Sequence, residues 1–353
     1  MIDRRKVNKY IQNIKEITSL NVLYDVHVHP FEVIFGELDR FCSKKFGNSC
    51  SSKKSNYNPP CTEALQISME NKSSSKQLDI SLRLKCSLLA FRRLYYHSCI
   101  RVFKDHMRIS GVDKALMLPV LGPEESDEEK MEVMYDEFGG NDRFYLAYCI
   151  PNEVANEAIE CKLKEAIEKY NVCFIKVHPN ITEINIGSIS GIERIEAILS
   201  GSKNNKIKVL IHGGRSPVVK NKKAMAYSTL NNLEKIDWTI TSEPVIIAHG
   251  AAFGHNANEI KNDILPKLVR MLAKYENVYV DLSGVNFVDL CLMLKSLDLE
   301  KVVFGSDAFY EPQWKGLVKT FAALEKTSLN VEETFLKICS LTPSQFFPPK
   351  TAP

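Results

Sequence analysis

The sequence of 353 residues predicts an α/β protein, a (β/α)8 TIM barrel with a long insertion after its first strand. Eight short apolar segments have the composition of parallel strands that are covered on both faces, and amphipathic helical segments fall between many of them. Without an excursion at 36–110 and an N-terminal helix, 258 residues remain. That length is close to the roughly 250 residues of a typical barrel.

The predicted strands are continuous apolar runs, whereas half-solvated antiparallel strands would alternate apolar and polar residues. No glycine-rich turn follows the first of them, which disfavours a dinucleotide-binding sheet. In chain order the eight runs occupy 22–28, 113–118, 144–150, 172–177, 207–211, 244–248, 278–282 and 301–305.

Helical periodicity, with apolar residues three and four positions apart, is clearest in three segments between strands. Asn152 stands where the N-cap of the first of them is expected. Ser126 followed by Glu129 has the spacing of a capping box at the start of a further, acidic helix. The three segments are 154–170, 258–275 and 314–325.

Composition and charge exclude several classes of protein. With 44% hydrophobic residues and a formal charge of +3, the chain is globular and has no continuous basic stripe for nucleic acid. No segment reaches about 18 uninterrupted apolar residues, and the N-terminus lacks the apolar core of a secretory signal. Ten cysteines without CxxC spacing indicate reduced thiols. We therefore expect a cytoplasmic protein that binds neither nucleic acid nor membrane.

We expect one domain over 1–353, with the 36–110 insertion as its one large excursion. Its first part, 42–77, is rich in Ser, Lys and Asn and is predicted to be mobile, and 78–109 is predicted to be helical. Loops that follow barrel strands emerge at the carboxyl face. The insertion is therefore predicted to cover the barrel mouth.

Five of the eight histidines lie at or just after the ends of predicted strands. Because the carboxyl ends of barrel strands converge on one mouth, these residues are expected to share a site. Two histidines two positions apart on the first strand point to the same face. Together with His212, His249 and an aspartate after the last strand, they offer three or four nitrogens and one carboxylate, which suits Zn²⁺ or a similar divalent ion with a position open for water. The residues are His27, His29, His178, His212, His249 and Asp307.

Five segments in this order resemble the amidohydrolase superfamily, in the amidohydrolase-2 type branch that includes aminocarboxymuconate-semialdehyde decarboxylase. They are DVHVHP, FIKVHP, VLIHGG, VIIAHGA and VVFGSDAFY, and the resemblance covers the chain outside 36–110. It implies a barrel with a divalent metal, usually zinc, beside which His249 polarises substrate or water. The implied metal ligands are His27, His29, His212 and Asp307.

Two further positions leave alternatives open. Lys176 and His178 share a face of the fourth strand, where binuclear members of the superfamily carry a carbamylated lysine that bridges two metals. In the mononuclear branch this segment is part of the pocket wall, and the overall pattern favours one ion. Arg215 lies three positions after His212 and could clamp a substrate carboxylate or be a surface arginine.

The predicted function is a metal-dependent hydrolase that cleaves an amide, ester or lactone bond of a small anionic substrate by metal-activated water. Asp307 would take the water proton and pass it to the leaving group, and His249 would stabilise the developing oxyanion. The first alternative is a non-oxidative decarboxylase of a small carboxylic acid. The second is a catalytically inactive metal-binding scaffold. Homo-oligomerisation is left open.

Overall fold

The computed structural model describes residues 4–36, 95, 98–217, 219, 221–327 and 330–347. Its eight strands are parallel and pair in chain order from β1 to β8. The N–H of Val26 donates to the carbonyl oxygen of Phe304 at 3.0 Å, and a bridge joins Val28 to Ala308, so the last strand returns to the first. The predicted (β/α)8 barrel is confirmed. The strands are β1 Tyr24–Val28, β2 Lys114–Met117, β3 Phe144–Tyr148, β4 Phe174–Val177, β5 Lys208–Ile211, β6 Val245–Ile247, β7 Val278–Asp281 and β8 Val302–Val303.

Helices connect these strands. The longer α-helices are Arg4–Ile17, Ile100–Ser110, Glu128–Phe138, Ile159–Tyr170, Ile189–Asn205, Leu265–Lys274, Phe287–Ser296 and Gln313–Thr327. Shorter α-helices are Phe31–Phe35, Pro179–Thr182, Leu230–Leu233, Ala257–Glu259, Val331–Leu336 and Thr342–Ser344. Turns of 3₁₀ helix cover Asn156–Ala158, Ala224–Ala226, Trp238–Ile240, Ala248–Ala251 and Leu299–Lys301, and π-helical turns cover Ile260–Ile264 and Lys337–Leu341. Among the described residues, no helix has the length and apolar character needed to cross a membrane.

The structure corrects both predicted helix starts. Asn152 lies outside the helix that follows it, and its side-chain amide donates to the carbonyl oxygen of Thr182 at 2.7 Å. Asp127 takes the N-cap position predicted for Ser126, and its carboxylate accepts a hydrogen bond from the hydroxyl of Tyr148 at 2.6 Å. Both polar side chains are engaged by segments distant in the chain, and a local sequence pattern does not contain such contacts.

Two aromatic residues of the C-terminal segment close the amino end of the barrel. The ring of Phe347 stacks on Tyr24, with ring centroids 5.1 Å apart, and lies 4.5 Å from the ring of Tyr145 and 5.5 Å from that of Phe174. Phe346 packs on a further strand. These partners stand at the starts of their strands, so the amino end of the barrel is filled by apolar packing.

Most of the predicted insertion lies outside the described residues, including all of 42–77, so its position over the mouth stays a prediction. Its final part is described and is helical. The helix Ile100–Ser110 packs against the last barrel helix, Gln313–Thr327. Phe103 of this helix lies 6.3 Å from Phe144 of β3, between ring centroids.

Candidate metal centre

The carboxyl end of the barrel gathers polar side chains that are almost fully buried. They lie at or just after the ends of β1, β4, β5, β6 and β8, and none is more than 7% exposed. This is the convergence that the strand pattern predicts. The gathered side chains are His27, His29, Lys176, His178, His212, His249 and Asp307.

A register shift in β1 brings its two histidines to the site. In a regular strand successive side chains point to opposite faces, yet Val26 packs in the barrel interior and the next residue, His27, reaches the mouth. The pairing of β1 with β2 shifts between Asp25 and Val28, which allows both placements. Asp25 is left to accept hydrogen bonds from Ser306.

His27, His29 and Asp307 form a compact group of possible ligands. The Nε2 atoms of the two histidines lie 2.9 Å apart, and each lies 3.8 Å from Oδ1 of Asp307. Their ligand atoms all lie within 4.8 Å of one another. Two imidazole nitrogens and a carboxylate oxygen are ligands that Zn²⁺ accepts.

The tautomers of these two histidines follow from their other ring nitrogen. Nδ1 of His29 lies 2.6 Å from the carbonyl oxygen of Leu118, and Nδ1 of His27 lies 3.0 Å from a carboxylate oxygen of Asp281. Because both partners accept, both Nδ1 atoms donate, and in the neutral rings each Nε2 carries a lone pair. A lone pair on each of these Nε2 atoms, 2.9 Å apart, is what two ligands of one metal ion require. The donor set therefore fits a divalent metal.

His249 has the same tautomer, set by a different partner. Its Nδ1 lies 2.9 Å from the carbonyl oxygen of Ser283 and 2.9 Å from its hydroxyl. Burial lowers the pKa of His249 from 6.5 to about 4, against the opposing effect of Asp307, so the ring is neutral and its Nε2 is a proton acceptor. Its φ of 59° is uncommon for a residue other than glycine and often marks a functional position.

His212 and His178 stack with their ring centroids 4.0 Å apart. Nε2 of His212 is buried and has no hydrogen-bond partner among the residues that the structure describes, so it is available to bind an ion. Nδ1 of His178 accepts a hydrogen bond from the N–H of Ile181 at 3.4 Å, so its Nε2 carries the proton. Of the four predicted ligands, His27, His29 and Asp307 meet, and the ring of His212 lies beside them, 4.9 Å from that of His249.

Lys176 is buried in the same cluster, and its Nζ lies 3.3 Å from Nε2 of His27. Burial lowers the pKa of Lys176 from 10.5 to about 8, although Asp307 and Asp281 act in the opposite direction. A neutral amine is the form that reacts with carbon dioxide to give a carbamate. The geometry is thus compatible with either predicted role, a carbamylated bridge or a residue of the pocket wall.

Asp281, at the end of β7, is a site residue that the sequence analysis missed. Its Oδ2 accepts from His27, and its Oδ1 accepts from the hydroxyl and N–H of Ser283 and, at 3.2 Å, from the N–H of His249. Burial alone would raise the pKa of Asp281, but His27, His249 and Ser283 hold it well below its ordinary value. The rule that revealed the histidines, a polar residue at the end of a strand, also applies to Asp281.

Gly305, between β8 and Asp307, allows this close packing. A Cβ at Gly305 would stand 2.7 Å from Cβ of His27 and 3.2 Å from Cγ of Asp281. Asp307 itself has a φ of 57°, and its N–H donates to the carbonyl oxygen of His27 at 2.8 Å. The turn after β8 therefore places the carboxylate of Asp307 against β1.

Arg215 is held by a carboxylate of the protein itself. Its guanidinium donates to both carboxylate oxygens of Glu259, at 2.8 and 3.2 Å, and the Arg215 side chain is 40% exposed. Binding of a substrate carboxylate by Arg215 would therefore compete with this ion pair. Its substrate-binding role stays a prediction.

Comparison with known proteins identifies the fold. No protein-family model matches the chain, and no curated protein matches it. Among solved structures, an uncharacterised TIM-barrel protein from Bordetella bronchiseptica is 11% identical, with a TM-score of 0.58 and coverage of 92% of this chain and 97% of that one. A probable 2-pyrone-4,6-dicarboxylic acid hydrolase from Acinetobacter baumannii is 12% identical, with a TM-score of 0.52 and coverage of 92% and 98%.

A third solved structure connects this fold to a metal. It is an amidohydrolase from Burkholderia multivorans with bound zinc, 10% identical, with a TM-score of 0.50 and coverage of 89% of this chain and 95% of that one. At these identities the likeness shows the fold alone. The proteins that share it include amidohydrolases, the superfamily that the sequence resembles.

Proposed function

We propose that the chain is a metal-dependent hydrolase of the amidohydrolase type, which cleaves an amide, ester or lactone bond of a small anionic substrate. One observation carries the proposal: the Nε2 atoms of His27 and His29 lie 2.9 Å apart, and each lies 3.8 Å from a buried carboxylate oxygen of Asp307.

One divalent ion, zinc by our proposal, would be held by His27, His29, His212 and Asp307. The unpartnered Nε2 of His212 supports its inclusion. When bound, such an ion supplies Lewis acidity that lowers the pKa of water to about 7 and polarises a carbonyl group.

The protein's own groups divide the proton transfers. The carboxylate of Asp307 lies among the ligand nitrogens, where it can accept the proton of the attacking water and return it to the leaving group. His249 is neutral with Nε2 unprotonated, so it would have to take a proton from solvent before it could donate to a developing oxyanion. The Nε2–H of His178 is already a donor and is suited to hold a substrate oxygen.

Metal analysis combined with product analysis tests the proposal. Protein purified without added metal should carry about one equivalent of a divalent ion, or two if Lys176 is carbamylated. Turnover in H₂¹⁸O of a substrate found in amide, ester, lactone and carboxylate libraries should place ¹⁸O in the new acid or alcohol. Stoichiometric release of CO₂ without a hydrolysed bond would replace the proposal with the decarboxylase. Absence of metal, with no activation by Zn²⁺, Mn²⁺, Ni²⁺ or Co²⁺, would overturn both.

The number of ions is tested at Lys176. A Lys176→Met variant cannot form a carbamate, so a binuclear site would lose one equivalent of metal and a mononuclear site would keep its single ion. We expect one equivalent in both proteins. Mass spectrometry under native conditions measures the same difference as the mass of CO₂ on the wild-type chain.

A further inference from the structure

The carboxylate of Asp281 contacts both the proposed ligand His27 and the neighbouring His249. Its Oδ2 holds Nδ1 of His27 at 3.0 Å, and its Oδ1 holds the N–H of His249 at 3.2 Å. The same Oδ1 accepts from the N–H of Ser283 at 2.9 Å and from its hydroxyl at 2.5 Å. Ser283 in turn supplies the carbonyl oxygen that accepts from Nδ1 of His249.

We propose that Asp281 is a positioning residue that sets the tautomer of His27 for metal binding and, through Ser283, the orientation of His249. The inference rests on the proposed function, because it concerns the ion that His27 would bind. In this role Asp281 would itself bind neither the ion nor the substrate. It acts by keeping the proton of His27 on Nδ1, so that Nε2 offers a lone pair.

The two oxygens of Asp281 have separate tasks that an amide cannot perform together. If the Nδ2 of an asparagine faced His27, the Nδ1 of that ring would have to accept, and its proton would move to the ligand atom Nε2. If Nδ2 instead faced the other way, only the hydroxyl of Ser283 could accept from it, and the N–H groups of Ser283 and His249 would both lose their acceptor. Asp281→Asn changes the shape of the side chain very little, but it therefore loses either the hydrogen bond with His27 or those with Ser283 and His249.

The packing around Asp281 leaves little room for rearrangement. Asp281 is 0% exposed, and a Cβ at Gly305 would lie 3.2 Å from its Cγ. Water is therefore poorly placed to take over the acceptor role. A substitution at Asp281 should therefore change the hydrogen bonding of both His27 and His249.

The test compares zinc affinity and histidine tautomers in the wild type, Asp281→Asn and the matched control Asp127→Asn. Asp127 is also a buried carboxylate that accepts a hydrogen bond, here from Tyr148, but it lies at a helix start away from the histidines. Zinc affinity is measured by competition with a chromophoric chelator. Tautomers are measured on the metal-free chain by long-range ¹H–¹⁵N correlation, with the His27 signals assigned from a His27→Gln spectrum.

We expect Asp281→Asn to bind zinc about 10- to 100-fold more weakly, the range seen when a carboxylate behind a metal-binding histidine is replaced. Asp127→Asn should match the wild type, and the His27 or His249 signals should change only in Asp281→Asn. Wild-type zinc affinity in Asp281→Asn would overturn the inference.

Two further outcomes are also decisive. If Asp281→Asn does not fold, the wild-type spectrum decides, because His27 protonated on Nε2 would overturn the inference and His27 protonated on Nδ1 would support it. If the wild type binds no divalent ion, the proposed function fails, and the same spectrum still decides whether Asp281 sets the tautomer.

Discussion

The two ends of the barrel are filled by different kinds of side chain, apolar at the amino end and polar at the carboxyl end. At the amino end, Phe346 and Phe347 enter from the C-terminal segment and pack on aromatic residues at the strand starts. At the carboxyl end, five histidines, a lysine and an aspartate are buried to a similar degree. The amino end is satisfied by its own contacts.

The carboxyl end is not satisfied in the same way. There the Nε2 atoms of His27 and His29 lie 2.9 Å apart, and within the described part of the chain Nε2 of His212 has no hydrogen-bond partner. A buried polar atom without a partner costs free energy, and at the carboxyl end a bound ion would supply the missing partner of His212. The difference between the ends separates the part of the barrel that folds the chain from the part that acts.

Removal of one metal ligand at the carboxyl end of the barrel should give the largest effect of all, a loss of zinc affinity. His29→Ala removes one of the two facing nitrogens, and we expect zinc affinity to fall by more than about 100-fold, beyond the range for changes behind a ligand. His106→Ala, which removes a buried histidine from the helix Ile100–Ser110, is the matched control and should bind zinc as the wild type does. Chelator competition measures both, and equal loss in the two variants would contradict the prediction.

Truncation at the apolar end should have the reverse effect. Phe347→Ala leaves a cavity among Tyr24, Tyr145 and Phe174 and should lower the free energy of unfolding by about 3–5 kcal/mol. Zinc affinity of the folded variant should be unchanged. Urea unfolding with a chelator present measures the first quantity, and a parallel loss of zinc affinity would show that the two ends are not separate.

The pH dependence of the free energy of unfolding should report the ionisation of Asp25, a buried carboxyl group next to the candidate metal centre. Burial raises the pKa of Asp25 from 3.8 to about 6, although its hydrogen bonds from Ser306 and Gln313 act in the opposite direction. Below pH about 4 the carboxyl group is protonated in both states, and its stabilising contribution is lost as the pH rises through about 6. The free energy of unfolding of the wild type, relative to Asp25→Asn, should therefore fall by about 3 kcal/mol between pH 4 and pH 7.

The measurement is urea unfolding of the two metal-free proteins at each pH. Asp142→Asn changes an exposed carboxylate, 76% exposed at the side chain, and should follow the wild-type curve. A difference between wild type and Asp25→Asn that stays constant with pH would show that Asp25 is not the titrating group.

The smallest effect is expected at the rim, where Arg215 pairs with Glu259. Because the pair is partly exposed, Arg215→Ala should change the free energy of unfolding by less than about 1 kcal/mol. Once a substrate is known, Arg215→Ala should raise KM with little change in kcat, and Glu259→Gln should lower KM because it frees the guanidinium. Unchanged KM in both variants would remove Arg215 from the substrate pocket.

Much of this arrangement could be predicted because it depends on local patterns and one geometric rule. Parallel strands that are covered on both faces have continuous apolar sequences. The predicted bounds of all eight strands lie within a few residues of the observed ones. Barrel closure then brings together whatever follows those strands, which placed the histidines and Asp307 at one mouth. Asp281 follows the same rule and was missed because a single carboxylate in VYVDLS lacks the distinct signal of a histidine.

The order of the strands and most of the nitrogen and oxygen donors at one end of the barrel follow from the amino-acid sequence. The register shift in β1, the pairing of Arg215 with Glu259 and the tautomers of the histidines follow from three-dimensional contacts. Those contacts join residues that are far apart in the chain. The proton of His27 is placed by Asp281, which lies 254 residues away, and the proton of His29 by a carbonyl oxygen 89 residues away, so no local pattern contains either contact.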